Sequence, residues 1–209
     1  MLDIDAILSR LADKRPVFHS EADFKHSLAW EIQQRFPESS VRLEYKPKSV
    51  GKRVYLDVWV TNEDRIYAVE LKYKTRKLHC VQGEDFDLLD QSAQDCGRYD
   101  FLTDVERLEE LVLRQPNAVG YAVFLTNDDG YWRQPKRETT NDRCFRIHEG
   151  RTLTGELCWG AGASFGTMDK RKEEIFLRGQ YEVHWRDYSQ PSSDSYGKLR
   201  YTCLEIRMT

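Results

Sequence analysis

The chain has 209 residues, enough for one domain or for a core domain with a substantial extension. Hydrophobic residues make up 40% and charged residues 32%, which excludes a disordered polar chain, and no stretch approaches the roughly 20 apolar residues of a membrane span. A net charge of −3 excludes a protein that coats nucleic acid indiscriminately, while leaving room for acidic ligands beside local basic stretches. Cys80, Cys96, Cys144, Cys158 and Cys203 are odd in number and contain no C-x-x-C pair, so reduced thiols are expected rather than a zinc site. The five histidines are equally scattered. The acidic start Met1-Leu2-Asp3-Ile4-Asp5 does not read as a signal peptide, and a cytoplasmic location is the expectation.

Ile4, Ile7, Leu8 and Leu11 predict a first helix over residues 2–12, stopped before Pro16. A second helix opens at Ser20, where Ser20-Glu21-Ala22-Asp23 resembles a capping box, and closes near Phe36-Pro37 with Phe24, Leu28 and Ile32 as its stripe. Strands are expected over Val41–Lys46, Val54–Val60 and Ile66–Tyr73, with Asn62-Glu63-Asp64 turning between the last two. A helical region from about Phe86 to Leu113 follows, which Gly97 bends or divides, and Val119–Thr126 is a further strand. Residues 127–142 read as a polar loop. Phe145–His148, Thr152–Trp159, Ile175–Leu177, Tyr181–Asp187 and Leu199–Arg207 read as strands. Helix, three strands, long helix and strand imply an α/β sheet flanked by helices over residues 1–126, with a β-rich extension over 127–209. Those last strands either extend the same sheet or form a small second one.

The chemistry concentrates in Val54–Val60 and Ile66–Lys74. Strand side chains alternate faces, so Glu70 and Lys72 share a side, about 6.6–6.8 Å apart along the backbone. A hairpin pairing brings Asp57 to the same place. Two carboxylates and an ammonium inside apolar strands suit a divalent ion with oxygen ligands, and the competing interpretation is a solvated charged face.

Asp57 followed on the next strand by Glu70-Leu71-Lys72 resembles the signature of the PD-(D/E)XK, or restriction-endonuclease-like, nucleases. The resemblance covers roughly residues 20–126, and Leu56 stands where proline is frequent. It implies a mixed sheet flanked by helices, Mg²⁺ or Mn²⁺ held by Asp57, Glu70 and the carbonyl of Leu71, and Lys72 beside the attacking water. The expected reaction is phosphodiester hydrolysis, with DNA the expected substrate by analogy. Glu31 falls within the stripe of the second helix, where similar nucleases place a glutamate near the metal; an edge glutamate paired with Arg35 is the alternative. Gln91, with Asp95 and Arg98, is expected along one face of the next helix, and Gln91 matches a glutamine that some of these nucleases carry there. Lys74, Arg76, Lys77, Arg98, Arg133 and Lys136 are the candidate nucleic-acid contacts; a solvated loop explains Trp132–Arg137 equally well. Residues 127–209 would serve substrate selection, homodimerisation or contact with a partner protein. A non-catalytic binding member of the same fold is the rival reading, and an interaction module with water-facing charges is the third.

Overall fold

Residues 2–48 and 55–207 are described by a computed structural model; Lys52, Arg53 and Val54 lie outside them. Helix α1 (Ile4–Lys14) is capped by the Asp3 carboxylate, which accepts from the Ala6 amide, and it buries Ile4, Ile7, Leu8 and Leu11. Helix α2 (Glu21–Arg35) is capped by Ser20, whose hydroxyl accepts from the Asp23 amide. Strands β1 (Ser40–Tyr45), β2 (Leu56–Asn62) and β3 (Arg65–Lys74) form an antiparallel meander.

The segment after β3 differs from the expectation. Residues 86–93 are not helical: Leu78–Val81 and Asp85–Leu88 pair as a hairpin, β4 and β5, and α3 begins only at Gln94 and runs to Arg114. Alternation explains the hairpin: Leu78, Cys80, Phe86 and Leu88 all point inward and form a small core with Val17. Period two in a short run had been masked by the longer helical pattern beside it.

Strand β6 (Ala118–Thr126) returns parallel to β3, with Lys72 opposite Phe124 and Lys74 opposite Thr126. Every residue of β6 is buried, as a central strand covered on both faces requires. The two faces are divided by period two. Val119, Tyr121, Val123 and Leu125 meet α1 and α2, while Ala118, Ala122 and Phe124 meet α3. At Gly120 a Cβ would lie 3.0 Å from the Leu108 Cβ, so the missing side chain lets α3 approach the sheet.

Phe145–His148 is not a strand; Arg143–Phe145 is a single 3-10 turn. Beyond it lie β7 (Thr152–Leu157), the short α4 (Phe165–Met168), β8 (Ile175–Glu182), β9 (Trp185–Ser189) and β10 (Leu199–Ile206). The main sheet is mixed, with order β1-β2-β3-β6-β10-β9, and β7 and β8 form a separate pair against the α3 side. Buried Glu109 of α3 fastens that pair: its carboxylate accepts from the Arg178 and Gly179 amides at 2.9 and 2.7 Å and from the Tyr181 hydroxyl at 2.7 Å. Among the described residues no helix is long and apolar enough to cross a membrane.

Candidate active site

The site begins where β2 and β3 part. Their register runs to Val58 opposite Val69 and stops, while β3 continues along β6 to Lys74. Alternate amides on the edge of β3 that β2 has left need other acceptors. Side chains supply them. Leu71 N–H donates to Asp57 Oδ2 at 3.0 Å, Tyr73 N–H to Glu21 Oε2 at 2.8 Å, and Thr75 N–H to Gln91 Oε1 at 3.1 Å. In return, Asp57 N–H donates to Glu70 Oε2 at 3.3 Å.

Asp57, Glu70 and Lys72 thus converge on the α3 side of the sheet, where α3 adds Asp104 and Arg107. Lys72 pairs with Asp104. Arg107 donates to Glu70 Oε1 at 2.7 Å and to Asp104 Oδ1 at 3.0 Å. On the far side of Asp57, Lys25 of α2 lies 3.1 Å from Oδ1 and also pairs with Glu44 of β1, a residue held at φ 50°. The side chain of Leu71 points into the opposite core, so only its main chain faces this cluster.

Burial sets the electrostatics. Glu70 is 3% exposed and Asp104 4%. Desolvation, reinforced by the Asp104 and Asp57 carboxylates and only partly opposed by Arg107, pushes Glu70 up to about 8. Asp104 is likewise raised, by burial first, despite the neighbouring Lys72 and Arg107. For Lys72, burial favours the neutral amine, but the carboxylate of Asp104 outweighs it and holds the lysine protonated above its ordinary range. Lys25 is raised in the same way, with Glu44 and Asp57 overriding its burial.

The donor set suits a hard divalent cation in type and charge. Glu21, Glu44, Asp57, Glu70 and Asp104 are five acids against the three cations Lys25, Lys72 and Arg107. Asp57 and Glu70 would be the residues to hold an ion, and both are at present paired with Lys25 and Arg107. Among the described residues no group of three or more His, Cys, Asp or Glu is disposed to hold a metal.

The remaining candidates are dispersed. Glu31 is buried but faces α1, 2.6 Å from Lys14 Nζ and 3.5 Å from Arg10 Nε, and it is not paired with Arg35. The α2 acid at the site is Glu21, ten residues earlier and therefore about 15 Å along the axis. Gln91 precedes α3 rather than lying on it. It clamps Thr75 from both sides, its own amide donating to the Thr75 carbonyl at 2.7 Å. Arg98 is committed to Asp142 and to the Gly130 carbonyl, 2.6 Å away. Arg76 meets Asp90 at 2.9 Å and stacks over Tyr196. Lys74 is half-buried at the end of β3, and Lys77, Arg133 and Lys136 are exposed.

Sequence reasoning missed Glu21, Lys25, Glu44, Asp104 and Arg107. Asp104 carried a readable signal: it lies between Phe101 and Leu108 at helical spacing, a carboxylate inside a buried apolar stripe, which demands a partner. Glu21 and Lys25 carried none, since an acid in a first helical turn and a lysine one turn later are both ordinary. No protein-family model matches the chain, and no curated protein or solved structure matches it significantly.

Proposed function

We propose that the chain is a Mg²⁺- or Mn²⁺-dependent nuclease with a restriction-endonuclease-like core, hydrolysing phosphodiester bonds of nucleic acid, with DNA the substrate by analogy. The observation that carries this reading is the convergence of Asp57, Glu70 and Lys72 where two core strands separate, in a cluster where acids outnumber cations. Asp57, Glu70 and the main-chain carbonyl of Leu71 would hold the ion. When bound, it supplies charge stabilisation at the phosphate and lowers the pKa of a water.

The other roles belong to the chain. Lys72, kept protonated by Asp104, is a hydrogen-bond donor and positive charge for the phosphoryl oxygens, not a base. Asp104 is a positioning residue acting through Lys72. Lys25 and Arg107 screen the carboxylates from one another and would have to release Asp57 and Glu70 for a cation to bind.

A second reading, a non-catalytic binding module of the same fold, draws on a different observation: Asp57, Glu70 and Asp104 each already have a protein cation. Purified protein incubated with plasmid, linear duplex and single-stranded DNA in Mg²⁺ or Mn²⁺ separates the two. Cleavage is expected, with a loss of about 100-fold or more in Asp57→Ala and in Lys72→Ala. Raised thermal stability in Mn²⁺ is expected in the wild type and lost in Asp57→Ala. Cleavage that survives either substitution overturns the mechanism, and DNA retained without cleavage selects the binding module.

A further inference from the structure

The loop after β6 builds a second charged feature, distinct from the cluster around Glu70. Residues 129–146 fold back over the N-terminal half of α3 and enclose a cleft of about 500 Å³, within the size range that holds a nucleotide-sized ligand. Five cations line it: Arg98, Arg133, Lys136, Arg137 and Arg146, against two acids, Asp129 and Asp142. Asp142 is taken by Arg98 and Asp129 by Arg133, so three positive charges are unmatched within the cleft.

Arg146 is the decisive member. It is only 9% exposed, and its guanidinium donates to the Arg137 carbonyl and, at 2.9 Å, to the Thr140 hydroxyl. Among the described residues no carboxylate pairs with it. A buried cation held by neutral acceptors alone is costly unless an anion completes it. The recess beneath is lined by Arg98 and Tyr131 as well as Arg146. The Nε of Arg98 and the hydroxyl of Tyr131 are both buried without a hydrogen-bond partner among the described residues. Exposed Lys136 and Arg137 stand at the mouth.

We propose that this cleft binds phosphate groups of a nucleic-acid backbone, with Arg146 as the buried anchor and Lys136 and Arg137 as the outer contacts. The inference rests on the nuclease reading and names where the substrate strand is held. The cleft opens just past the C-terminal end of β6, and Lys72 lies opposite Phe124, two residues before that end. A chain of phosphates would occupy the length of the cleft, whereas an isolated phosphate would leave most of the space unfilled.

The test is fluorescence anisotropy of a short labelled oligonucleotide in EDTA, where no cleavage intervenes. The double variant Lys136→Glu/Arg137→Glu, both positions exposed, is expected to keep the wild-type melting temperature, to lose about tenfold or more in affinity, and to flatten the salt dependence of binding. Arg146→Met is expected to lose affinity as well. Affinity and salt slope unchanged in the double variant overturn the proposal. Inorganic phosphate alone, titrated calorimetrically, is expected to bind weakly; if it binds as tightly as the oligonucleotide, the polymer assignment falls. Cleft-dependent binding by a wild-type protein that never cuts supports the cleft and overturns the nuclease reading alone.

Discussion

Asp57 and Glu70 exchange support across the point where their strands part: the Asp57 amide donates to the Glu70 carboxylate, and the amide following Glu70 donates to the Asp57 carboxylate. Each acid therefore takes the place of a missing ladder bond, and both are held at one end by main chain while their other oxygens face cations. Preorganised carboxylates of this kind cost fold stability, because like charges are held close in a poorly hydrated place.

That cost has a defined pH dependence. Glu70 titrates near 4.5 when unperturbed and about 8 in the fold, so the folded form keeps a proton that the unfolded chain has released. Stability conferred by the protonated form is fully present below about 4.5 and is lost as pH rises toward about 8. Glu70→Gln removes this penalty. Its melting temperature relative to the wild type, measured without divalent metal, is expected to rise steadily across that window. In Mn²⁺ at the alkaline end, the order is expected to reverse, since only the wild type gains the ion. A difference that stays flat with pH counts against a raised Glu70.

Asp104→Asn keeps the side-chain shape and removes the charge that holds Lys72 protonated. Cleavage is expected to fall, and the alkaline limb of its pH–rate profile to move to lower pH as the Lys72 ammonium becomes easier to deprotonate. A merely structural Asp104 would lower the rate without moving that limb.

The two glutamates of α2 are expected to separate cleanly. Glu31→Gln loses pairs to Lys14 and Arg10, whose side chains are more than half exposed, and a cost of about 1 kcal/mol or less is expected in urea denaturation, with cleavage unchanged. Glu21→Gln loses the carboxylate beside Tyr73 and Lys72 and is expected to reduce cleavage. The opposite pattern would restore Glu31 to the site.

Glu109→Ala leaves the Arg178 and Gly179 amides and the Tyr181 hydroxyl without their common acceptor. A loss of roughly 2–3 kcal/mol is expected from chemical denaturation. Catalysis per folded molecule is expected to persist, since Glu109 contacts the β7–β8 pair rather than the cluster around Glu70.

Local pattern determined much of this protein. The spacing of Ile4, Ile7, Leu8 and Leu11, the Ser20 cap and the apolar alternation around Asp57 and Glu70 each state a period and a face, and periodicity alone turns that into helices α1 and α2 and strands β2 and β3. The same alternation placed Glu70 and Lys72 on one side before any partner was known. It did not reveal that β2 would leave β3 at Val58, because where a ladder ends depends on neighbouring strands. From that ending follow the roles of Glu21 and Gln91, which serve amides that sequence order cannot expose. Asp104, Arg107 and Lys25 reach the carboxylates only because α3 and α2 pack on opposite faces of the sheet. Arg146 gains its burial, with no carboxylate partner among the described residues, only because a polar loop folds back over α3. Period and capping are local, and a chain of residues carries them; charge balance is set by distance through space, which only the tertiary structure decides.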